Sequence, residues 1–140
     1  MWRHPRNNMA GRHAGAMQRK SVYYCMNCNY AVPRGDHVVC GNKPHYFPST
    51  GEYKRFLQLK RMELAAVISN LALQTRYRIH INGKLFCTYV PDFEYDITDT
   101  GEHVIEDYKG SRKHSDTSSK LRRKAAELYH GINVTLVGGK

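Results

Sequence analysis

Asn82-Gly83 constrains this chain more than any other feature, because it separates two runs that both read as extended, residues 71–81 and residues 84 to about 95. A two-residue hairpin loop of the favoured hand needs positive φ at both central positions, and asparagine and glycine tolerate that best. On the first run Leu73, Thr75, Tyr77, Ile79 and Ile81 share one parity, as a strand with one covered face requires. The dipeptide therefore predicts an antiparallel hairpin of two long strands. A third strand is expected over residues 103–109, between the turn signal Asp99-Thr100-Gly101 and Gly110.

Helical patterns flank these strands. Ser49 or Thr50 can cap a helix beginning near Gly51-Glu52, in which Tyr53, Phe56, Leu57, Leu64, Ala65 and Ile68 recur at helical spacing. Lys54, Arg55, Lys60 and Arg61 then fall on its outer side, and Ser69-Asn70 closes it. A second helix is expected over residues 117–130, with Leu121, Ala125, Leu128 and Tyr129 as its apolar stripe and Gly131 as its C-cap. Residues 132–137 form a short last strand. The order helix, three strands, helix, strand predicts an α/β domain with a mixed sheet, whose second helix is a crossover.

Strand parity also selects among the acids. In Ile105-Glu106-Asp107-Tyr108-Lys109, Asp107 and Lys109 share one face and Glu106 looks to the other. The hairpin-like connection brings Asp92, in Val90-Pro91-Asp92-Phe93, alongside them. Two carboxylates can hold a hard divalent cation that keeps several waters. A neighbouring ammonium can orient water or neutralise charge on a phosphate.

The charge balance fits a polyanionic partner. Lys and Arg number 22 against 12 Asp and Glu, a formal net charge of +10. No basic helix with an aromatic face accompanies this excess, so DNA is the expected partner and a membrane surface is not. Residues 1–24 hold five basic side chains and no acid, and residues 1–20 read as a flexible basic arm. On the second helix Lys120, Arg122, Arg123 and Lys124 lie opposite the apolar stripe, with Arg112 and Lys113 just before it. Near a phosphodiesterase site these six side chains are expected to bind phosphates. The chain start lacks the apolar stretch of a secretory signal, which predicts a cytoplasmic location.

Cys25-Met26-Asn27-Cys28 has the two-residue spacing of a structural zinc knuckle, and Cys40 supplies a third thiolate. For the fourth ligand, His37 makes a His-x-x-Cys knuckle before Gly41, whereas His45 gives Cys-x-x-x-x-His. The run 35–40 is similar to the strand entering the second knuckle of a zinc ribbon, and that likeness favours His45. Both stay open. Residues 21–46 are expected to form this zinc-ribbon-like module and residues 47–140 the main domain. Cys87, on the opposite parity from Asp92, reads as a core residue.

Pro91-Asp92 followed by Asp107-Tyr108-Lys109 resembles the PD-(D/E)xK nuclease signature. The order helix, three strands, helix, strand is similar to that superfamily's αβββαβ restriction-endonuclease-like core. More closely, residues 47 to 137 resemble small phage-encoded endonuclease-like proteins. Phe47-Pro48-Ser49-Thr50-Gly51-Glu52, Gln74, Tyr89-Val90-Pro91-Asp92-Phe93 and Glu106-Asp107-Tyr108-Lys109-Gly110 carry that likeness. It implies Mg²⁺ or Mn²⁺ at Asp92, Asp107 and the Tyr108 backbone carbonyl, with Lys109 as catalytic lysine; the cysteine spacing separately predicts a structural Zn²⁺ in the N-terminal module. Glu52 is similar to the extra acid of Holliday-junction resolvases in this superfamily, though a first-turn glutamate is also favoured by the helix dipole. Gln74 either reaches the site or supports strand geometry. A junction-cutting enzyme would be a symmetric homodimer, since it cuts two strands. The rival reading is a non-catalytic, zinc-containing DNA-binding protein whose acids are structural.

Overall fold

The computed structural model describes residues 21–35, 40–110 and 116–138. The predicted basic arm, His37, Arg112 and Lys113 lie outside these residues. The described residues are mixed α/β: two helices and three small sheets, with no described helix long and apolar enough to cross a membrane.

Ser49 starts the first helix, α1 (Thr50–Leu64), by accepting the Glu52 amide on its hydroxyl at 3.2 Å, as an N-cap serine should. The predicted helix runs too far, because α1 ends at Leu64 and Ile68 already belongs to a strand. Ala66 takes φ +58°, and the Val67 amide reaches back to the Met62 carbonyl at 2.9 Å, closing a Schellman-type end on an alanine. Arg55 is also misassigned by the periodicity, since it packs inward.

The two long strands of the predicted hairpin each break once. The first becomes β4 (Ile68–Leu73) and β5 (Tyr77–Ile81), parted at Gln74 with φ +53°. The second becomes β6 (Lys84–Tyr89) and β7 (Phe93–Ile97), parted at Val90-Pro91-Asp92. Pro91 has no amide to donate and is fully buried at this corner. Asn82 and Gly83 both have positive φ, as the hairpin loop demands. Two sheets result. Strands β5 and β6 pair alone, while β4, β7, β8 (His103–Tyr108) and β9 (Val134–Val137) form a four-stranded sheet in that order. Its β4–β7 and β7–β8 pairs are antiparallel, and β8–β9 is parallel, so α2 (Thr117–His130) is indeed a crossover. Gly131 ends α2 in the left-handed conformation at φ +65°.

The four-stranded sheet and the β5–β6 hairpin each carry a core of their own. On the sheet Phe56 and Leu59 of α1 pack with Ile68, Phe93 and Tyr95. Burying each aromatic ring contributes roughly 2–3 kcal/mol, so Phe56→Ala is the single change that should loosen α1. Elsewhere α2 covers the hairpin through Ala126, against Ile79 and Tyr89, with Cys87 packed beside them as expected. The predicted apolar stripe of α2 is not its buried face: Leu121, Leu128 and Tyr129 are exposed. Small Ala125 and Ala126 let the helix approach closely, and the larger residues are left at the margins.

The N-terminal strands β1 (Val22–Cys25), β2 (Tyr30–Val32) and β3 (His45–Phe47) form a three-stranded antiparallel sheet in the order β2-β1-β3. Tyr24 and Phe47 from this sheet are buried in the same cluster as Phe56 and Leu59. The small sheet is therefore fastened to α1 by a shared core.

Candidate active site and metal centre

Pairing of β7 with β8 sets Phe93 opposite Glu106, so Asp92 lies one step before the ladder begins. Its backbone amide donates to the Glu106 carbonyl and its own carbonyl accepts from the Gln74 amide, both at 3.1 Å. The corner at Pro91 turns the Asp92 side chain back toward β8, where its Oδ2 accepts the Tyr108 amide at 2.6 Å. Gln74 thus meets the site through its backbone, and its side chain is exposed.

Asp107 points to the α2 side of the sheet and is buried. Its Oδ2 accepts the Tyr89 hydroxyl at 2.9 Å and pairs with Lys109 Nζ, also at 2.9 Å. Glu52, in the first turn of α1, is buried close enough to feel Asp107 and Lys109. Burial, then the Asp107 charge, pushes the Glu52 carboxyl up to about 7, with Lys109 pulling the other way. Asp92 is pushed up to about 8, first by burial and then by the Glu52 charge, against the opposing Tyr108 amide. The neighbouring Asp107 carboxyl pushes it in the same upward direction. The sequence-predicted residues Glu52, Asp92, Asp107 and Lys109 therefore converge. Three mutually close acids, with one ammonium paired to Asp107, form an under-neutralised, partly dry group, which must hold protons or attract a cation.

Glu106 differs in kind. It faces α1, where Arg55 grips it with Nε at 2.9 Å and Nη2 at 2.5 Å, and Tyr95 donates its hydroxyl at 2.5 Å. All of its acceptor capacity goes to the frame.

A cleft of about 160 Å³ opens beside the acids, lined by Tyr89, Asp107, Lys109, Ser119 and Arg122 among others. Arg122 is the basic residue of α2 that reaches this rim, held by donation to the Ser118 hydroxyl at 2.8 Å. Arg123 lies close enough to act on Tyr89, while Lys120 and Lys124 project into solvent. Sequence reasoning missed the roles of Tyr89, Ser119 and Arg55. Parity held the only signal: a buried Glu106 facing away from Asp107 demands a cation on the α1 side.

The cysteine cluster forms a second centre. Cys25, Cys28 and Cys40 bring their sulfurs within 4.8 Å of one another, the one group of three such metal-ligating atoms among the described residues. Cys28 Sγ lies 2.6 Å from Cys40 Sγ. The turn is built for this. Asn29 adopts φ +58°, its amide donates to the Cys25 carbonyl at 2.9 Å, and the Cys28 amide points at Cys25 Sγ at 3.4 Å. The Cys28 amide most strongly, and the Asn27 amide with it, hold the Cys25 thiol below its ordinary pKa. Three sulfurs so disposed fit a soft or borderline ion such as zinc. His45 does not join them. It pairs with Tyr24 across β1 and β3, which puts it on the core face while Cys25 points to the other. Its ring packs 4.6 Å from that of Phe47, its Nε2 is buried without a partner, and burial lowers its pKa.

No family model, curated protein or solved structure matches the chain.

Proposed function

We propose that this chain is a divalent-metal-dependent endonuclease of the PD-(D/E)xK kind with a restriction-endonuclease-like core, hydrolysing phosphodiester bonds of DNA. The observation that carries the reading is the clustering of Asp92, Asp107 and Glu52, with Lys109 paired to Asp107 beside a cleft rimmed by Arg122. The donor set suits Mg²⁺ or Mn²⁺. Carboxylate oxygens from Asp92 and Asp107, with the Tyr108 carbonyl, would hold such an ion, and waters would complete its shell. Bound there, it supplies Lewis-acid polarisation of a phosphate and a lowered water pKa.

The chain's own groups do the rest. Lys109 lies in the cleft with its ammonium held by Asp107, from which it can donate to a phosphate oxygen or orient the attacking water. Glu52, with its carboxyl near 7, is poised to accept a proton at neutral pH. The Tyr89 hydroxyl fixes the direction of Asp107, and the Tyr108 amide fixes Asp92. Arg122, with Lys120, Arg123 and Lys124 behind it, holds the phosphate backbone. The thiolate centre takes a structural Zn²⁺.

The test is nicking of supercoiled, single-stranded and four-way-junction DNA with added Mg²⁺ or Mn²⁺. Cleavage by the wild type, lost in Lys109→Ala and in Asp92→Asn with unchanged circular dichroism, is the expected result. Wild-type protein that leaves all three substrates uncut with either metal overturns the reading.

A further inference from the structure

The face of the N-terminal sheet turned away from the core is aromatic. In β1, Val22 and Tyr24 face α1, so Tyr23 and Cys25 face outward. Tyr23 pairs with Tyr46 of β3, and the two rings lie 5.2 Å apart at 51°. Tyr46 is 47% exposed. Tyr30, opposite Cys25 on β2, lies on the same face at 52% exposed, and its side chain hydrogen-bonds Cys28. Three tyrosines therefore line one outward surface, anchored at one end to the cysteine centre.

The electrical surroundings favour an anion. Arg34 and Lys43, exposed, flank β2 and β3, and the described residues up to Phe47 include no Asp or Glu. Tyrosine is a common strand residue, and cross-strand aromatic pairs stabilise sheets on their own account. Sheet stability alone does not call for exposed tyrosines flanked by cations with no acid among the neighbouring described residues. That pairing of charge with stacking area is what an unpaired nucleic-acid strand requires: phosphates on basic side chains and bases on rings.

We infer that the Tyr23–Tyr46 face is a stacking platform for unpaired bases, a second nucleic-acid site separate from the acidic cleft. Its occupant is a single-stranded segment of DNA, held by base stacking without sequence readout. The inference does not depend on cleavage and can be tested with no magnesium or manganese present.

The experiment measures fluorescence anisotropy of zinc-loaded full-length protein with three labelled probes of equal length: oligo-dT, an abasic strand with the same backbone, and a duplex. Wild type should bind oligo-dT more tightly than the abasic strand by at least about fivefold, since each stacked base is worth roughly 5- to 150-fold. The double variant Tyr23→Val/Tyr46→Val keeps strand propensity and should lose that preference, with abasic and duplex affinities unchanged. Tyr23→Phe/Tyr46→Phe should retain it. Equal wild-type affinity for oligo-dT and the abasic strand overturns the inference whatever the variants do. A valine variant that folds, holds zinc and still prefers oligo-dT overturns it as well.

Discussion

Arg55→Met tests the assignment of the two adjacent acids on β8. Glu106 is 3% exposed, and among the described residues Arg55 is its cationic partner, with two contacts, alongside the Tyr95 hydroxyl. Removing one partner of a buried ion pair costs about 3–5 kcal/mol, because the other charge is left desolvated. Two features place this case at the lower end. The Arg55 side chain is 18% exposed, so water can enter the vacated space, and Tyr95 still donates to the orphaned carboxylate. The expected loss is therefore about 3 kcal/mol, or roughly 10 °C in Tm for a chain of this size. Chemical denaturation of Arg55→Met, Glu106→Gln and the double variant completes the cycle. The double variant should fall within about 1 kcal/mol of Glu106→Gln, since without the charge there is little for Arg55 to satisfy. Below its melting range, Glu106→Gln should keep metal-dependent cleavage while Asp107→Asn abolishes it. An Arg55→Met cost under about 1 kcal/mol, the range of an exposed pair, would refute the clamp. Cleavage lost in a stable Glu106→Gln and kept in Asp107→Asn would refute the parity assignment itself.

A methyl group at Gly51 would collide with the Tyr108 hydroxyl and come within 2.8 Å of its Cζ, while Gly138 closes the other side of the same ring. Gly51→Ala should cost about 1–3 kcal/mol by overpacking and lower cleavage further by displacing Glu52, as paired urea melts and nicking assays would show. A Gly51→Ala protein with wild-type stability and activity would remove Tyr108 as the wedge that seats α1. The raised Asp92 pKa, about 8, sets a pH dependence of stability in protein without added magnesium or manganese. Between its ordinary value of 3.8 and about 8 the folded state binds more protons than the unfolded chain, so stability falls as pH rises across that window. Glu52 adds the same sign between 4.5 and about 7. Thermal melts of Asp92→Asn should show a flatter slope and, near pH 8, a higher Tm than wild type; equal slopes would contradict the crowding of acids. Added Mg²⁺ should restore wild-type stability at that pH and do little for Asp92→Asn.

What could be read from residues alone was set by local chemistry. Asn82-Gly83, Ser49 and Gly131 act within three or four residues of themselves, so the hairpin, the helix start and the helix end came out as expected. Parity separated Asp107 from Glu106 for the same reason. The failures occur where tertiary contacts hold a residue against its preference. Ala66 and Gln74 sit at φ +58° and +53°, conformations usually left to glycine, and each ends an element that its pattern would continue. Pro91 was the one break with a visible signal, since an interior strand cannot contain it comfortably. On α2, hydrophobicity pointed to Leu121 and Leu128, but the face packed on the hairpin is that of Ala125 and Ala126.

Those same breaks build the site. Had residues 71–81 and 84–95 remained two continuous strands, Asp92 would have continued a ladder, with its neighbours paired in sequence. Instead the Gln74 amide caps the Asp92 carbonyl, Pro91 turns the chain, and the freed carboxylate reaches the Tyr108 amide. The detached β5–β6 hairpin then carries Tyr89 over the sheet to hold Asp107, and α2 brings Arg122 to the same cleft. A backbone strained at a non-glycine position and an acid held well above its ordinary pKa both lower stability, and here they occur within one hydrogen bond of each other. Two independent costs meeting at one corner are what the proposed metal-dependent chemistry would account for.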